Sequence, residues 1–227
     1  MAAVNEADVL ALEKRYQEIQ QRIGSGVTLV AVSKTQPTEK LKILYELGQR
    51  DFGESYAQEL TQKAAELRKL GCTEIRWHFI GHLQTNKVKM ILPIVHAIHT
   101  LDSERLGMEI AKRIRAAGGA PLAVFLEVNI DQEASKSGLH PDQVAELGAR
   151  LRMLPELALQ GLMCIPAPGY EPDLRRAFKK LRELALSAGP WAHGLRLSMG
   201  MSDDFELAVE EGATHVRIGT ALFGSRS

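Results

Sequence analysis

The stretch Val27-Thr-Leu-Val-Ala-Val-Ser-Lys34 is a short apolar run that ends in a lysine, between Gly26 and Pro37. Its length and its aliphatic, β-branched content predict a strand buried on both faces, as in parallel sheets. Lys34 stands at the carboxyl end of this strand, where ligands bind in α/β proteins. A desolvated lysine there loses its proton easily and can form a Schiff base with a carbonyl compound. Lone lysines are more often solvated, so the alternative is that Lys34 points into solvent.

The composition describes a globular chain of 227 residues, 45% hydrophobic and 25% charged. Lys plus Arg and Asp plus Glu are equal at 28 each, which argues against nucleic acid or a membrane as a partner. The N-terminus lacks a basic region of the secretory type, and charges interrupt every apolar run before the roughly 20 residues that span a bilayer. Cys72 and Cys164 lack metal-type spacing and suit a reducing compartment, so we predict a cytoplasmic protein.

Strand and helix patterns alternate eight times after a first amphipathic helix at 5–23. Strands are predicted at 27–34, 51–54, 74–80, 95–101, 122–130, 157–165, 195–198 and 215–219. Helices are predicted at 37–47, 56–70, 84–90, 103–117, 141–153, 173–187, 203–211 and from 220, with Asp203 and Glu206 as a capping box. This order predicts a (β/α)8 TIM barrel, an α/β fold, as a single domain over 1–227 with 1–25 as an extra N-terminal helix packed on it. An open doubly wound sheet is the alternative.

Two loops have the composition of a phosphate site. In barrels, phosphate binds at the loops after strands seven and eight, which here read Ser198-Met-Gly-Met-Ser202 and Gly219-Thr220. Small residues let backbone amides approach an anion, and hydroxyl groups add hydrogen-bond donors. Either loop alone is weak support, because Ser and Gly at such turns usually just cap a helix.

Arg217 lies within predicted strand eight, two residues before Gly219 and on the same face. A buried guanidinium needs an acceptor. The acceptor is either a barrel carboxylate such as Glu127 or Glu54, forming a structural ion pair, or an atom of a ligand. A Schiff-base lysine, a phosphate cradle and an adjacent arginine together describe a site for pyridoxal 5'-phosphate, PLP.

The histidines give no metal signal. His78 and His82 are four apart, but Gly81 interrupts any helix between them, and His96 and His99 are three apart on a strand, which predicts that they face opposite sides. We therefore predict no metal site. A serine hydrolase is also disfavoured, because Ser198 has no G-x-S-x-G elbow.

Several motifs together resemble one known family. They are Val30-Ala-Val-Ser-Lys-Thr35, Phe52-Gly-Glu54, Trp77-His-Phe-Ile-Gly81, Leu83-Gln-Thr-Asn-Lys87, Ser135-Lys-Ser-Gly138, Gly161-Leu-Met163, Leu197-Ser-Met-Gly-Met-Ser-Asp-Asp204 and Val216-Arg-Ile-Gly219. In order over about 5–225, they resemble the pyridoxal phosphate homeostasis protein family, which is itself similar to the N-terminal barrel of alanine racemase, PLP fold type III.

The resemblance implies a site and a role. It implies a covalent aldimine of PLP on Lys34, a phosphate held by Ser198, Gly200, Gly219 and Thr220, and Arg217 facing the pyridine nitrogen. It implies no catalytic residues and a non-enzymatic role in intracellular PLP (vitamin B6) homeostasis and amino-acid balance. Ser55 stands where the family more often has asparagine, so a ring-edge hydrogen bond there is not carried over.

Other functions remain as alternatives. A PLP-dependent amino-acid racemase would need a second acid/base group opposite the lysine. A Schiff-base sugar-phosphate aldolase would use Lys34 and the same cradle, and an interaction protein with a vestigial site would use neither. The expected partners are PLP and PLP-dependent apoenzymes, and the barrel is expected to be a monomer.

Overall fold

The computed structural model describes residues 5–224. Its strands are β1 Thr28–Val32, β2 Asp51–Glu54, β3 Arg76–Phe79, β4 Val95–Leu101, β5 Leu122–Glu127, β6 Leu157–Met163, β7 Arg196–Ser198 and β8 His215–Ile218. Its α-helices are α1 Glu6–Ile23, α2 Thr38–Glu46, α3 Ala57–Lys69, α4 Val88–Ile91, α5 Glu104–Ala117, α6 Val144–Arg152, α7 Glu171–Ser187, α8 Phe205–Glu210 and α9 Thr220–Phe223. Short 3-10 helices cover Thr85–Lys87, Pro141–Gln143 and Pro190–Ala192.

The eight strands form a closed parallel barrel in sequence order, which confirms the predicted fold. Strand β1 pairs with β2 on one side and with β8 on the other, in registers that put Val30 beside Arg217 and Val32 beside Gly53. Because all strands are parallel, their carboxyl ends meet at one mouth of the barrel. Lys34 and the end of β8 are therefore brought to the same place.

The barrel strands have an apolar outer layer. Leu29, Val124, Leu162 and Val216 are buried members of the hydrophobic core that also contains the apolar faces of the helices. Side chains alternate across a strand, so each of these residues has neighbours that point inward. The inward layer is more polar, because the rings of His78, His99 and His215 meet one another inside the barrel.

Helix α1 covers one side of the barrel. Its N-cap Asn5 accepts a hydrogen bond from the backbone N–H of Asp8 at 2.9 Å, and its predicted apolar stripe is buried. The Arg15 Nε donates to the carbonyl oxygen of Leu222 at 2.8 Å, so α1 holds the last turn of α9. No helix within residues 5–224 is long and apolar enough to span a membrane.

Two local expectations were wrong. The helix predicted from 203 begins at Phe205 and no side chain caps it: Asp204 instead accepts from the backbone N–H of Met201 at 2.6 Å, and Glu206 pairs with Arg22 on α1. In β4, a register irregularity opposite His78 leaves the rings of both His96 and His99 beside the His78 ring, with centroids 5.7 and 5.0 Å away. His96 and His99 therefore do not face opposite sides, because the bulge breaks the two-residue alternation.

Candidate functional site

A cavity of about 260 Å³ opens at the carboxyl ends of β1 and β8. Four of the predicted site residues line it: Lys34, Arg217, Gly219 and Thr220. Its wall also contains apolar side chains (Val32, Ile80, Ile165, Met201) and further polar residues (Gln36, Ser55, Ser202, Asp203). The cavity therefore combines an amine, a guanidinium and hydroxyl groups with apolar surface.

Lys34 sits in a turn whose backbone is fixed on both sides. The carbonyl oxygen of Ser33 accepts a hydrogen bond from Lys63 Nζ at 2.5 Å, and the backbone N–H of Thr35 donates to Glu59 Oε1 at 2.5 Å. Thr35 has a φ of 63°, a left-handed conformation that is strained for a β-branched residue. The two hydrogen bonds hold this conformation and so fix the direction in which Lys34 leaves β1.

These contacts belong to a buried ion-pair network, the clamp, made of Glu54, Glu59, Lys63 and Ser33. Glu54 is fully buried, and its Oε1 accepts from Lys63 Nζ at 2.8 Å and from the Ser33 hydroxyl at 2.7 Å. Lys63 also bonds Glu59, four residues earlier on α3, at 2.7 Å. Burial raises the pKa of Glu54 despite the adjacent Lys63 ammonium. The clamp lies behind the Lys34 turn, between the barrel wall and α3.

Arg217 is almost completely buried, at 4% exposure. Its Nη1 donates to Ser198 Oγ and its Nη2 to the carbonyl oxygen of Cys164, both at 2.9 Å. Among residues 5–224, no carboxylate lies within 4.0 Å of the guanidinium. Of the two alternatives for the acceptor, the ion pair with Glu127 or Glu54 is therefore not formed: Glu54 pairs with Lys63, and Glu127 Oε2 has no partner. The cavity side of Arg217 remains available to an acceptor atom of a ligand.

The other two predicted site residues, Ser198 and Gly200, do not line this cavity. The Ser198 hydroxyl is fully buried below the mouth, between His99 and Arg217. Gly200 packs under α8, where an added Cβ would lie 2.6 Å from the Cβ of Ala208. A phosphate role for these two residues stays a prediction, and the geometry gives Ser198 a different set of partners.

Ser202 belongs to the loop predicted to bind phosphate, but no role was predicted for this residue by itself. Ser202 lines the cavity, and its hydroxyl oxygen accepts a hydrogen bond from the backbone N–H of Ala221 at 3.1 Å. This bond ties the loop after β7 to the first turn of α9. The position of Ser202 in the sequence could have indicated its place at the cavity. It lies four residues beyond Ser198, the last residue of β7, and therefore at the rim of the barrel.

The polar interior of the barrel was also missed. Asp51 Oδ1 lies 2.9 Å from His78 Nε2, and the carboxylate also receives two hydrogen bonds from Arg76. Burial alone would raise the pKa of Asp51, but hydrogen bonds from Arg76 and His78 outweigh it and hold that pKa well below its ordinary value. His78 Nδ1 in turn lies 2.8 Å from His99 Nε2. No sequence pattern reports such contacts, because they join strands through the centre of the barrel.

Known proteins resemble the chain at three levels. Residues 7–227 match the family model of the alanine racemase N-terminal domain. A pyridoxal phosphate homeostasis protein from Pseudomonas aeruginosa is 44% identical over 226 residues, which cover 99% of this chain and 95% of that protein. The structure of PipY from Synechococcus elongatus with PLP bound is 33% identical, with a TM-score of 0.86, covering 94% of this chain and all of PipY.

A more distant likeness shows the fold alone. The alanine racemase of Corynebacterium glutamicum is 16% identical with a TM-score of 0.70, and the match covers 94% of this chain but 60% of that enzyme. The barrel, the near-complete coverage and the identity to the first relatives agree with the resemblance drawn from the motifs. The chain belongs to the alanine racemase N-terminal domain family, and within it to the pyridoxal phosphate homeostasis proteins.

Proposed function

We propose that this protein binds PLP covalently through Lys34 and holds the cofactor for intracellular PLP homeostasis without turning over a substrate. The observation that carries the proposal is the buried guanidinium of Arg217, which has no carboxylate partner among the described residues and lines the same cavity as Lys34. An amine and an unneutralised arginine at one cavity match a ligand that offers both an aldehyde and a hydrogen-bond acceptor.

The remaining wall fits the rest of PLP. PLP supplies an aldehyde that reacts with amines, a ring nitrogen and a phosphate. The hydroxyl groups of Ser202 and Thr220, with the backbone at Gly219, would hold the phosphate where α9 begins. Val32 and Ile80 offer apolar surface to the ring. In this assignment Ser202 takes the phosphate role that the family resemblance implies for Ser198.

Arg217 would face the ring nitrogen. An arginine does not give up its proton readily, so it would leave that nitrogen unprotonated and the ring a weak electron sink. Carriage of the cofactor needs no electron sink, whereas reactions through a stabilised carbanion do. An arginine at the ring nitrogen thus suits carriage or racemisation better than a reaction that requires a stabilised carbanion.

The tyrosines support a carrier over a racemase. None of the four, Tyr16, Tyr45, Tyr56 and Tyr170, lines the cavity that contains Lys34. Tyr45 stacks with Arg50 at the opposite end of the barrel. Two-base racemisation requires a second group across from the lysine. Among the described residues that line the cavity, the titratable side chains besides Lys34 are Asp203 and Arg217.

Two further observations bear on the cellular setting. The relatives named as pyridoxal phosphate homeostasis proteins span nearly the same length as this chain. Cys72 and Cys164 are both buried and unpaired, which fits a reducing compartment and supports a cytoplasmic role.

Transfer of PLP to an apoenzyme is chemically reasonable, since another amine can displace the lysine from the imine.

A spectroscopic titration tests the proposal. Purified protein mixed with PLP is expected to develop a visible absorption band that Lys34→Arg lacks, because arginine keeps the charge but cannot form the imine. Lys87→Ala, at a neighbouring rim position, is the matched control and should retain the band. A colourless mixture with wild-type protein would overturn cofactor binding. Borohydride trapping of a sugar phosphate but not of PLP would favour the aldolase.

Isotope exchange separates the carrier from the racemase. The PLP-loaded protein is incubated with L-alanine in deuterium oxide, with an authentic alanine racemase as the positive control. We expect no exchange of the α-hydrogen and no loss of chirality at enzyme-like rates. Rapid exchange in this protein as well as in the racemase control would overturn the non-catalytic assignment while leaving PLP binding intact.

A further inference from the structure

A continuous line of hydrogen bonds crosses the barrel interior from Arg217 to the opposite end. Arg217 Nη1 lies 2.9 Å from Ser198 Oγ, which lies 2.8 Å from His99 Nδ1. His99 Nε2 lies 2.8 Å from His78 Nδ1. His78 Nε2 lies 2.9 Å from Asp51 Oδ1, where the line ends. The residues come from five strands, β8, β7, β4, β3 and β2. All five are buried or nearly so. We call these five residues the relay.

The ends of the relay fix its direction. Arg217 can only donate, so Ser198 Oγ accepts at that end. Asp51 is ionised and can only accept, so His78 donates from Nε2 at the other end. Each contact between them holds one hydrogen. With neutral rings, the His99 Nε2–H donates to His78 Nδ1, and the Ser198 hydroxyl donates to His99 Nδ1.

The surroundings of His99 favour its neutral form. The ring is fully buried and stacks on Phe125, with centroids 4.3 Å apart. Burial, together with the nearby Arg217 guanidinium, places the pKa of His99 well below its ordinary value. A neutral His99 donates one hydrogen bond and accepts another, and it adds no positive charge beside the guanidinium.

We propose that His99 and His78 are positioning residues for Arg217. In the relay the Ser198 hydroxyl donates its hydrogen to His99, so the Ser198 oxygen is left to accept from the guanidinium. This hydrogen bond keeps Arg217 oriented toward the cavity. The relay also links Arg217 to the Asp51–Arg76 ion pair at the other end of the barrel. This inference rests on the proposed function for its ligand, PLP, and extends it to residues that do not touch the cavity.

The first test needs neither PLP nor a variant. Two-bond 1H–15N correlation spectra of the ligand-free protein report which ring nitrogen of each histidine carries hydrogen. The relay predicts hydrogen on Nε2 alone for both His78 and His99. Hydrogen on Nδ1 of His99 would reverse the chain and overturn the proposal. Because no ligand is present, this result is independent of whether the protein binds PLP.

The second test compares two buried histidines. His99→Phe removes the relay but keeps the stacking on Phe125, and should weaken PLP binding about tenfold, the loss expected for one hydrogen bond to a charged group. His215→Phe is the matched control, since His215 is also buried in the barrel but bonds to Thr214 rather than to the relay. It should change the affinity by less than about twofold. Equal losses in the two variants would overturn the proposal.

The 15N signal of labelled PLP gives a readout that general damage to the fold would not reproduce. It should shift in His99→Phe, where Arg217 is released, and stay in place in His215→Phe. Ser198→Ala breaks the relay at its other end, so the double variant with His99→Phe should bind no more weakly than the weaker single variant. Additive losses would contradict a shared relay. Should His99→Phe not fold, Ser198→Ala and the tautomer measurement still decide.

Discussion

The two sides of the cavity are supported in different ways. Lys34 is held from outside the barrel wall, by the charged clamp of Glu54, Glu59 and Lys63, which grips the backbone on either side of it. Arg217 is held from inside the barrel, by neutral groups that grip its side chain. A lysine that must react with an aldehyde needs a free amine nitrogen, so only its backbone can be held by hydrogen bonds. An arginine that only donates hydrogen bonds can be fixed through its own nitrogens.

The clamp and the relay should therefore fail differently. Losing one charge from the clamp leaves another charge buried without a partner, which affects folding. Losing one member of the relay removes a hydrogen bond that orients Arg217, which lowers the affinity for the ligand. Variants of each network distinguish the two kinds of failure.

Removing the lysine of the clamp should cost the most stability. Lys63→Met leaves the Glu54 carboxyl buried and uncompensated, and we expect the free energy of unfolding to fall by about 3 kcal/mol, measured by urea denaturation. Lys42→Met, which removes an exposed pair with Glu46 on α2, is the control and should change little. The double variant Lys63→Met/Glu54→Gln should recover part of the loss. A Lys63→Met protein as stable as wild type would mean that the clamp does not hold the turn.

The buried histidines should make the barrel sensitive to acid. Burial lowers the pKa of His215 to about 3, so between that value and its ordinary pKa the unfolded chain binds a proton that the folded chain does not. The stability it contributes is complete above about pH 6.5 and is lost as the pH falls, by at most about 1.4 kcal/mol per pH unit. Urea unfolding of His215→Phe between pH 7 and 4.5 should show a shallower decline than wild type. Parallel declines would show that His215 does not titrate on unfolding.

Removing the guanidinium should lower the affinity for PLP without preventing the covalent bond to Lys34. Arg217→Met is expected to bind PLP about tenfold more weakly, because a charged hydrogen bond is lost, while the adduct on Lys34 still forms at high PLP. Equilibrium titration of the visible band measures the affinity. Complete loss of the band at saturating PLP would mean that Arg217 controls the reactivity of Lys34 and that the two sides of the cavity are not independent.

Relieving the strained turn should have the smallest effect. Thr35→Gly removes a left-handed β-branched residue and should raise the free energy of unfolding by about 1 kcal/mol. Gln132→Gly, at the other left-handed non-glycine residue described, is the control and should behave similarly. Only Thr35→Gly should slow formation of the PLP adduct, since Lys34 then leaves a looser turn. Identical adduct rates in the two variants would show that the strain at Thr35 has no role.

Much of the fold could be predicted from the sequence, since the outer layer of the barrel has a local signature. Runs such as Thr28–Val32 are aliphatic after their first residue, and each is followed by an amphipathic helix, so the periodicity identifies both elements. The ends of elements were less predictable. The strand predicted to reach residue 130 ends at Glu127. The capping box at Asp203 does not form, because the helix begins later than predicted, after Asp204, and Glu206 pairs with Arg22 on α1.

The site was predictable only in part, because strand order fixes which residues share a mouth but not how deep each one lies. Lys34, Arg217, Gly219 and Thr220 come together as expected, whereas Ser198 lies one layer too deep to reach the cavity. The relay had no sequence signal at all. Its histidines are separated by 21 and 99 residues from their partners, and a bulge in β4 reorients the strand that carries one of them.

The most direct measurement of the central claim is reduction of the PLP-loaded protein with borohydride, followed by peptide mapping. We expect one major phosphopyridoxyl adduct, on Lys34, that is absent from Lys34→Arg and present in Lys87→Ala. An adduct of wild-type protein that maps mainly to another lysine, or a protein that forms none, would contradict the assignment of Lys34 as the residue that holds the cofactor.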